Sequence, residues 1–204
     1  MDHSQMSQSC LDDLIELLSA KLPGHVNRKR TVVEQVLVAR LHFYDTHAPE
    51  CFFAIGLITT NTAQRIVADG KAHCYHDLWA TCQSCADEWI YFPDEQGDGF
   101  EVNPILHSCY DHLCDDDNPD SFKQYADAIC TAAREINKMA VQTFQNVHPC
   151  FQLVPADAGF ELGDDSIMRL TMQVTSIAQL ARSGFLDLND KHFGIYPPEL
   201  YGSR

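Results

Sequence analysis

Basic residues are scarce in this chain. Fourteen Lys and Arg stand against twenty-nine Asp and Glu, a formal charge of −15. A surface this negative repels nucleic acid and anionic membranes and attracts basic proteins. The shortage is sharpest across residues 72–122, which contain no Lys and no Arg but twelve carboxylates, so the rest of the chain carries only −3. Acidity alone also serves solubility. Its concentration in one quarter of the chain favours a contact surface.

Other absences narrow the choice further. No apolar run approaches the ~20 residues needed to span a bilayer. The first ten residues lack the basic start and apolar middle of a secretory signal, so a cytoplasmic protein is expected. There is no G-x-S-x-G, P-loop or G-x-G-x-x-G. There is no internal repeat or low-complexity linker, so residues 1–204 read as one domain. Nine cysteines, an odd number, in a reducing compartment are expected mostly as buried thiols behaving as small hydrophobes.

The elements follow from periodicity and punctuation. Ser9 with Asp12 offers a capping box, and Leu11, Leu14, Ile15, Leu18 and Leu22 recur at helical spacing until Pro23-Gly24 stops the helix. Arg28, Lys29 and Arg30 then open a second helix over 31–46, with Val33, Val36, Leu37, Leu41 and Tyr44 buried and Pro49 beyond it. Residues 51–58 form a continuous apolar run that predicts a strand covered on both faces, and Gly56 within it predicts close approach by a neighbour. Residues 64–68 read as its hairpin partner across a turn at Asn61 and Thr62. A helix is expected over 73–85, a third strand around Trp89, Tyr91 and Phe92, an acidic loop over 93–99, and a helix over 102–113 burying Ile105, Leu106, Cys109 and Leu113. Asn118 and Pro119 begin the most regular helix, carried by Phe122, Tyr125, Ala126, Ile129, Ala133, Ile136, Ala140 and Phe144 and ended by Pro149. Residues 150–154 read as a strand. Residues 166–183 fit either period, and Asp164, Asp165, Ser166 and Gly184 at the ends favour helix. The sum is an α+β domain in which helices cover a small, mainly antiparallel sheet.

Two kinds of chemistry compete with a contact surface. His73, Cys74, His76, Cys82 and Cys85 lie within thirteen residues, and Cys82-Gln-Ser-Cys85 has the spacing of half a zinc site. His107, Cys109, His112 and Cys114 offer a second group. No second CxxC or HxxxH completes a motif, and Cys109 falls on an apolar helix face, so no metal is assigned. Cys82 and Cys85 as a redox pair would want a preceding strand, which is missing. The carboxylates cluster with one another on polar stretches and lack the apolar setting that tunes an acid–base pair, so no catalytic residue is assigned. A metal-dependent hydrolase or redox protein built on the Cys/His groups is the rival reading.

The aromatic strand at 51–60, the segment Glu88-Trp89-Ile90-Tyr91 and the late Pro197-Pro198-Glu199-Leu200-Tyr201 give the chain a familiar outline. It resembles a family of bacterial domains of unknown function often encoded beside polymorphic or contact-dependent toxins, with residues 164–184 standing apart as an insertion. The resemblance implies an immunity protein that binds and neutralises a cognate toxin in the cytoplasm, without enzymatic activity or cofactor. No residue role carries over from it. Charge assigns the partner surface to Asp94, Glu95, Asp98, Glu101, Asp115, Asp116 and Asp117, facing a toxin with a basic surface.

Overall fold

The computed structural model describes residues 8–43, 53–69, 86–93, 104–113, 119–157, 170–171 and 173–174. Along the chain come α1 (Gln8–Lys29), β1 (Val36–Phe43), β2 (Phe53–Thr59), α2 (Thr60–Ala68), β3 (Glu88–Phe92), α3 (Pro104–Leu113), α4 (Pro119–Thr143) and β4 (Val147–Asp157). The strands form one sheet in the order β3-β2-β1-β4. The first three run antiparallel, and β4 returns parallel to β1. This is the expected α+β architecture. One face of the sheet carries Leu41, Phe43, Phe53, Ile55 and Phe92, because alternate residues of a strand share a face. Phe43 lies edge-on to Tyr125, with ring centroids 6.1 Å apart, and Phe53 stacks on the same ring at 6.4 Å. These contacts place α4 over this face, and α1 packs against α4, α3 and β3.

Helix α4 has the expected stripe: Tyr125, Ala126, Ile129, Ala133, Ile136, Ala140 and Phe144 are buried and Phe122 is partly so. Strand β2 is buried along its whole length. A Cβ at Gly56 would sit 3.0 Å from the Trp89 indole and 3.3 Å from Ala86 Cβ, which is the close approach the sequence suggested. Trp89 lies opposite Gly56 in the β2–β3 ladder. Helix α3 buries Leu106 and Cys109. Leu170 and Val174, both in helical backbone, are buried four positions apart as in the helical reading.

Several expectations are overturned. Ser9 lies inside α1, which begins no later than Gln8, so it is not the cap. Pro23-Gly24 does not end α1. Proline there forfeits one backbone bond to Ser19, yet the helix continues because the stripe continues. Leu22, Pro23, His25 and Val26 are all buried. His25 Nε2 meets the Tyr91 carbonyl at 2.8 Å, and its ring lies edge-on to Phe92 at 5.0 Å. The segment read as a second helix is β1, one of the two inner strands. All eight residues are buried, including Arg40 and His42, whose polarity mimicked a solvated helix face. Val33, assigned to the stripe, is 82% exposed. Residues 64–68 belong to α2, not a hairpin strand, because β1 and β3 already occupy both edges of β2. Thr59 Oγ1 caps that helix by accepting the Thr62 amide at 3.2 Å. Pro149 lies within β4 and does not end α4. It falls where the register jumps from Val36↔Val147 to Val38↔Gln152, so no ladder bond asks for its missing amide.

Arg28, Lys29 and Arg30 thus close α1, where the helix dipole favours cations. Arg30 follows the last turn and joins two connections. Its Nε donates to the Val32 carbonyl at 2.9 Å, Nη1 to Gln145 at 2.6 Å, and Nη2 to Glu34. Both terminal nitrogens also reach the Asn146 carbonyl at 3.4 Å. Asn146 takes the left-handed backbone that turns α4 into β4, with φ 45°. Its amide donates to the Val33 carbonyl at 2.7 Å. Burial lowers the Arg30 pKa, and Glu88 and Glu34 oppose that shift.

Arg30→Lys should destabilise the fold by about 1–3 kcal/mol, because a lysine cannot reproduce a planar fork and leaves carbonyls unmatched. Urea melts of the two proteins test this, and equal midpoints would remove Arg30 from its assigned role. Gly56→Ala should cost about 1–3 kcal/mol in the same assay, since the added methyl meets the Trp89 ring.

Candidate functional site

The seven carboxylates assigned to partner binding, Asp94, Glu95, Asp98, Glu101, Asp115, Asp116 and Asp117, lie outside the described residues. So do His73, Cys74, His76, Cys82, Cys85 and Cys114. Described within the acidic stretch are β3 with the two residues before it and Pro93 after it, α3, and the start of α4.

Strand β3 is an outer strand of the sheet. Residues 70–85 lead toward it and 94–103 follow it, so the stretch joins the sheet along this edge. Two of its carboxylates hold it there. Glu88 accepts the Thr31 amide at 2.8 and 3.0 Å, the Thr31 hydroxyl at 2.8 Å and the Val32 amide at 3.0 Å. Asp87 accepts the Thr59 amide at 2.8 Å and the Thr62 hydroxyl at 2.7 Å. Both carboxylates therefore have internal work, since a charged acceptor binds amides more strongly than a neutral one. Asp120 is exposed in the first turn of α4, where the dipole favours it. No sequence signal identifies Asp87 and Glu88 as tethers, because their partners lie 25 to 57 positions away.

Helix α1 extends the acidic region. Asp12, Asp13 and Glu16 are exposed on its first turns, while its exposed bases, Lys21, Arg28 and Lys29, lie toward the other end. That acidic end packs against α3. Tyr91, on the edge strand itself, is 53% exposed. The acidic end of α1 thus adjoins α3 of the acidic stretch, while Tyr91 on β3 lies beside His25, toward the basic end of the same helix. Anions with an exposed aromatic suit contact with a basic protein.

The opposite face of the sheet is polar at its centre. Arg40 and His42 on β1 share it with Gln152 and Val154 on β4 and with Gly56 and Ala54 on β2. All six are buried. The His42 ring lies 5.0 Å from the Trp89 indole at 64°. Burial pushes its pKa down to about 3, with the Arg40 charge adding to the effect. His42 Nε2 has no hydrogen-bond partner among the described residues. A neutral imidazole beside a cation is the state this face accepts.

Cys10, Cys109 and Cys130 are buried thiols, as expected of most cysteines here, and Cys150 is half-buried. Cys109 points inward from α3, as its helical position required, and its Sγ lies 3.1 Å from that of Cys10. His107, on the same helix, is half-buried. His112 belongs to α3, but its side chain lies outside what is described. Among the described residues no three His, Cys, Asp or Glu side chains group as metal ligands. No described helix is long and apolar enough to cross a membrane.

His42 should make stability depend on pH. The unfolded chain takes up a proton near the ordinary imidazole value and the folded chain does so only near pH 3. The stabilisation is complete above the ordinary value and is lost as pH falls toward 3. Between pH 8 and pH 5 the loss should be about 2 kcal/mol. Urea melts of the parent and of His42→Gln at the two pH values test this, and the variant should lose about 2 kcal/mol less.

No family model matches this sequence, and no curated protein or solved structure matches it.

Proposed function

We propose that this protein is a cytoplasmic inhibitor of the immunity type, which binds a cognate bacterial toxin with a basic surface and neutralises it by occupying that surface. The observation that carries the reading is the 51-residue stretch without a single Lys or Arg. The geometry supports it in three ways. Glu88 and Asp87, within this stretch, are anchored to the backbone at Thr31 and Thr59 beside the β3 edge. The exposed acids of α1 enlarge the same region. Tyr91 supplies an exposed aromatic at that edge, the kind of side chain that anchors interfaces. The partner-binding residues are Asp94, Glu95, Asp98, Glu101, Asp115, Asp116 and Asp117. A nuclease toxin is a fitting target, because its substrate groove is cationic and an acidic inhibitor is steered into it quickly. The reading rests on charge and its placement. The family resemblance agrees with it and adds no residue role.

The test is neutralisation. Co-expression with a basic nuclease toxin domain that this protein recognises should restore bacterial growth. Changing Asp94, Glu95, Asp98, Asp115, Asp116 and Asp117 together to Lys should abolish both rescue and binding while leaving the thermal melt unchanged. The association rate of the parent should fall steeply with added salt. Binding by the charge-reversed protein at the parent affinity would overturn the reading. So would stoichiometric zinc in the purified protein together with hydrolytic activity, which is the outcome the rival Cys/His enzyme requires.

A further inference from the structure

We propose that Cys10 and Cys109 form a redox modification site, a pair of buried thiols that closes into a disulfide stapling α1 to α3. The two residues are 99 positions apart, yet their sulfurs approach to 3.1 Å. A disulfide requires about 2.05 Å, so about 1 Å of closure remains. Cys10 Sγ also points toward Ser108 Oγ at 3.8 Å, which holds it against α3. The pair sits where the acidic end of α1 meets the acidic stretch, with Asp13 near enough to act on Cys109.

The two thiols are not equivalent. Cys109 is 1% exposed and Cys10 is 8% exposed. Burial, then the hydrogen bond to Cys10, raises the Cys109 pKa well above the ordinary thiol value. Cys10 is therefore the sulfur that meets the oxidant, and Cys109 resolves. The oxidant is a small disulfide such as oxidised glutathione. The Cys10 thiolate attacks one glutathione sulfur, the glutathione disulfide breaks, and one glutathione thiolate leaves. Cys109 sulfur then attacks Cys10 in the mixed disulfide and the second glutathione leaves. The two thiol protons finish on the two glutathiones, which together gain the two electrons that the cysteines lose. Closing a loop of this length restricts the unfolded chain far more than the folded one. The oxidised protein is therefore the more stable form.

The proposal stands on the geometry between two helices and needs no toxin partner, so it fails or survives separately from the inhibitor reading. The full-length protein is equilibrated with oxidised glutathione, denatured, trapped with N-ethylmaleimide and digested without reductant. Mass mapping should show the Cys10 peptide joined to the Cys109 peptide, with two hydrogens lost. The melting temperature should rise, and dithiothreitol should reverse both changes. Cys10→Ser should lose the linked peptide and the rise together. N-ethylmaleimide on both Cys10 and Cys109 after other cysteines have oxidised would overturn the proposal. A disulfide from either one to a third cysteine would do the same.

Discussion

One guanidinium holds the connections that set the order of the sheet. Arg30 gathers carbonyls from the stretch between α1 and β1 and from the turn between α4 and β4. Those two segments are more than a hundred positions apart, and the strands they introduce lie side by side and parallel. A parallel pair has no tight turn to set its register. Here a side chain supplies that alignment. The Gln35 side chain, donating to the Val147 carbonyl at 3.3 Å, and the Val36 amide, donating to the Asn146 carbonyl at 3.2 Å, continue the same seam. Glu88 plays the complementary part at the far edge. It receives the amides that Arg30 leaves unused and fixes β3 to the end of α1. A cation and an anion thus bracket the sheet from one connecting segment.

Sheet edges invite foreign strands unless they are blocked. Asn137 of α4 does this for β4. Its amide donates to the Leu153 carbonyl at 2.9 Å and accepts the Leu153 amide at 2.7 Å, so it imitates a neighbouring strand. On β3, His25 occupies the Tyr91 carbonyl. Side chains thus take up part of the outward backbone of both outer strands. The thiol pair lies in the helical layer, where the acidic end of α1 meets α3.

What the sequence revealed depended on how cleanly each element separates polar from apolar positions. Helix α4 does so for six turns, and its stripe is legible residue by residue. Strand β2 is uniformly apolar, which left no competing period, and Gly56 marked its crowded neighbour. Strand β1 defeated the same reasoning because Arg40 and His42 are polar and buried. They mimic the outer side of a helix, and only the sheet pairing reveals that they face inward. The end of α1 was misread because proline is a local signal, and the contacts of His25 and Val26 that override it are tertiary. The tethers at Asp87 and Glu88 were invisible for a related reason. Nothing near them in the chain announces Thr31 or Thr59. The acidity of the stretch was plain, but which acids are spent internally was not.

The parallel placement of β4 beside β1 bears on how the molecule is made. A ribosome delivers β1 early and must extend the chain past Asp157 before the neighbour on that side exists. Throughout that interval an apolar strand lacks one of its two hydrogen-bonding partners. Domains with such long-range pairing assemble slowly and expose sticky surface meanwhile. Until β4, the last of the described strands, is in place, that side of β1 is open to non-native pairing.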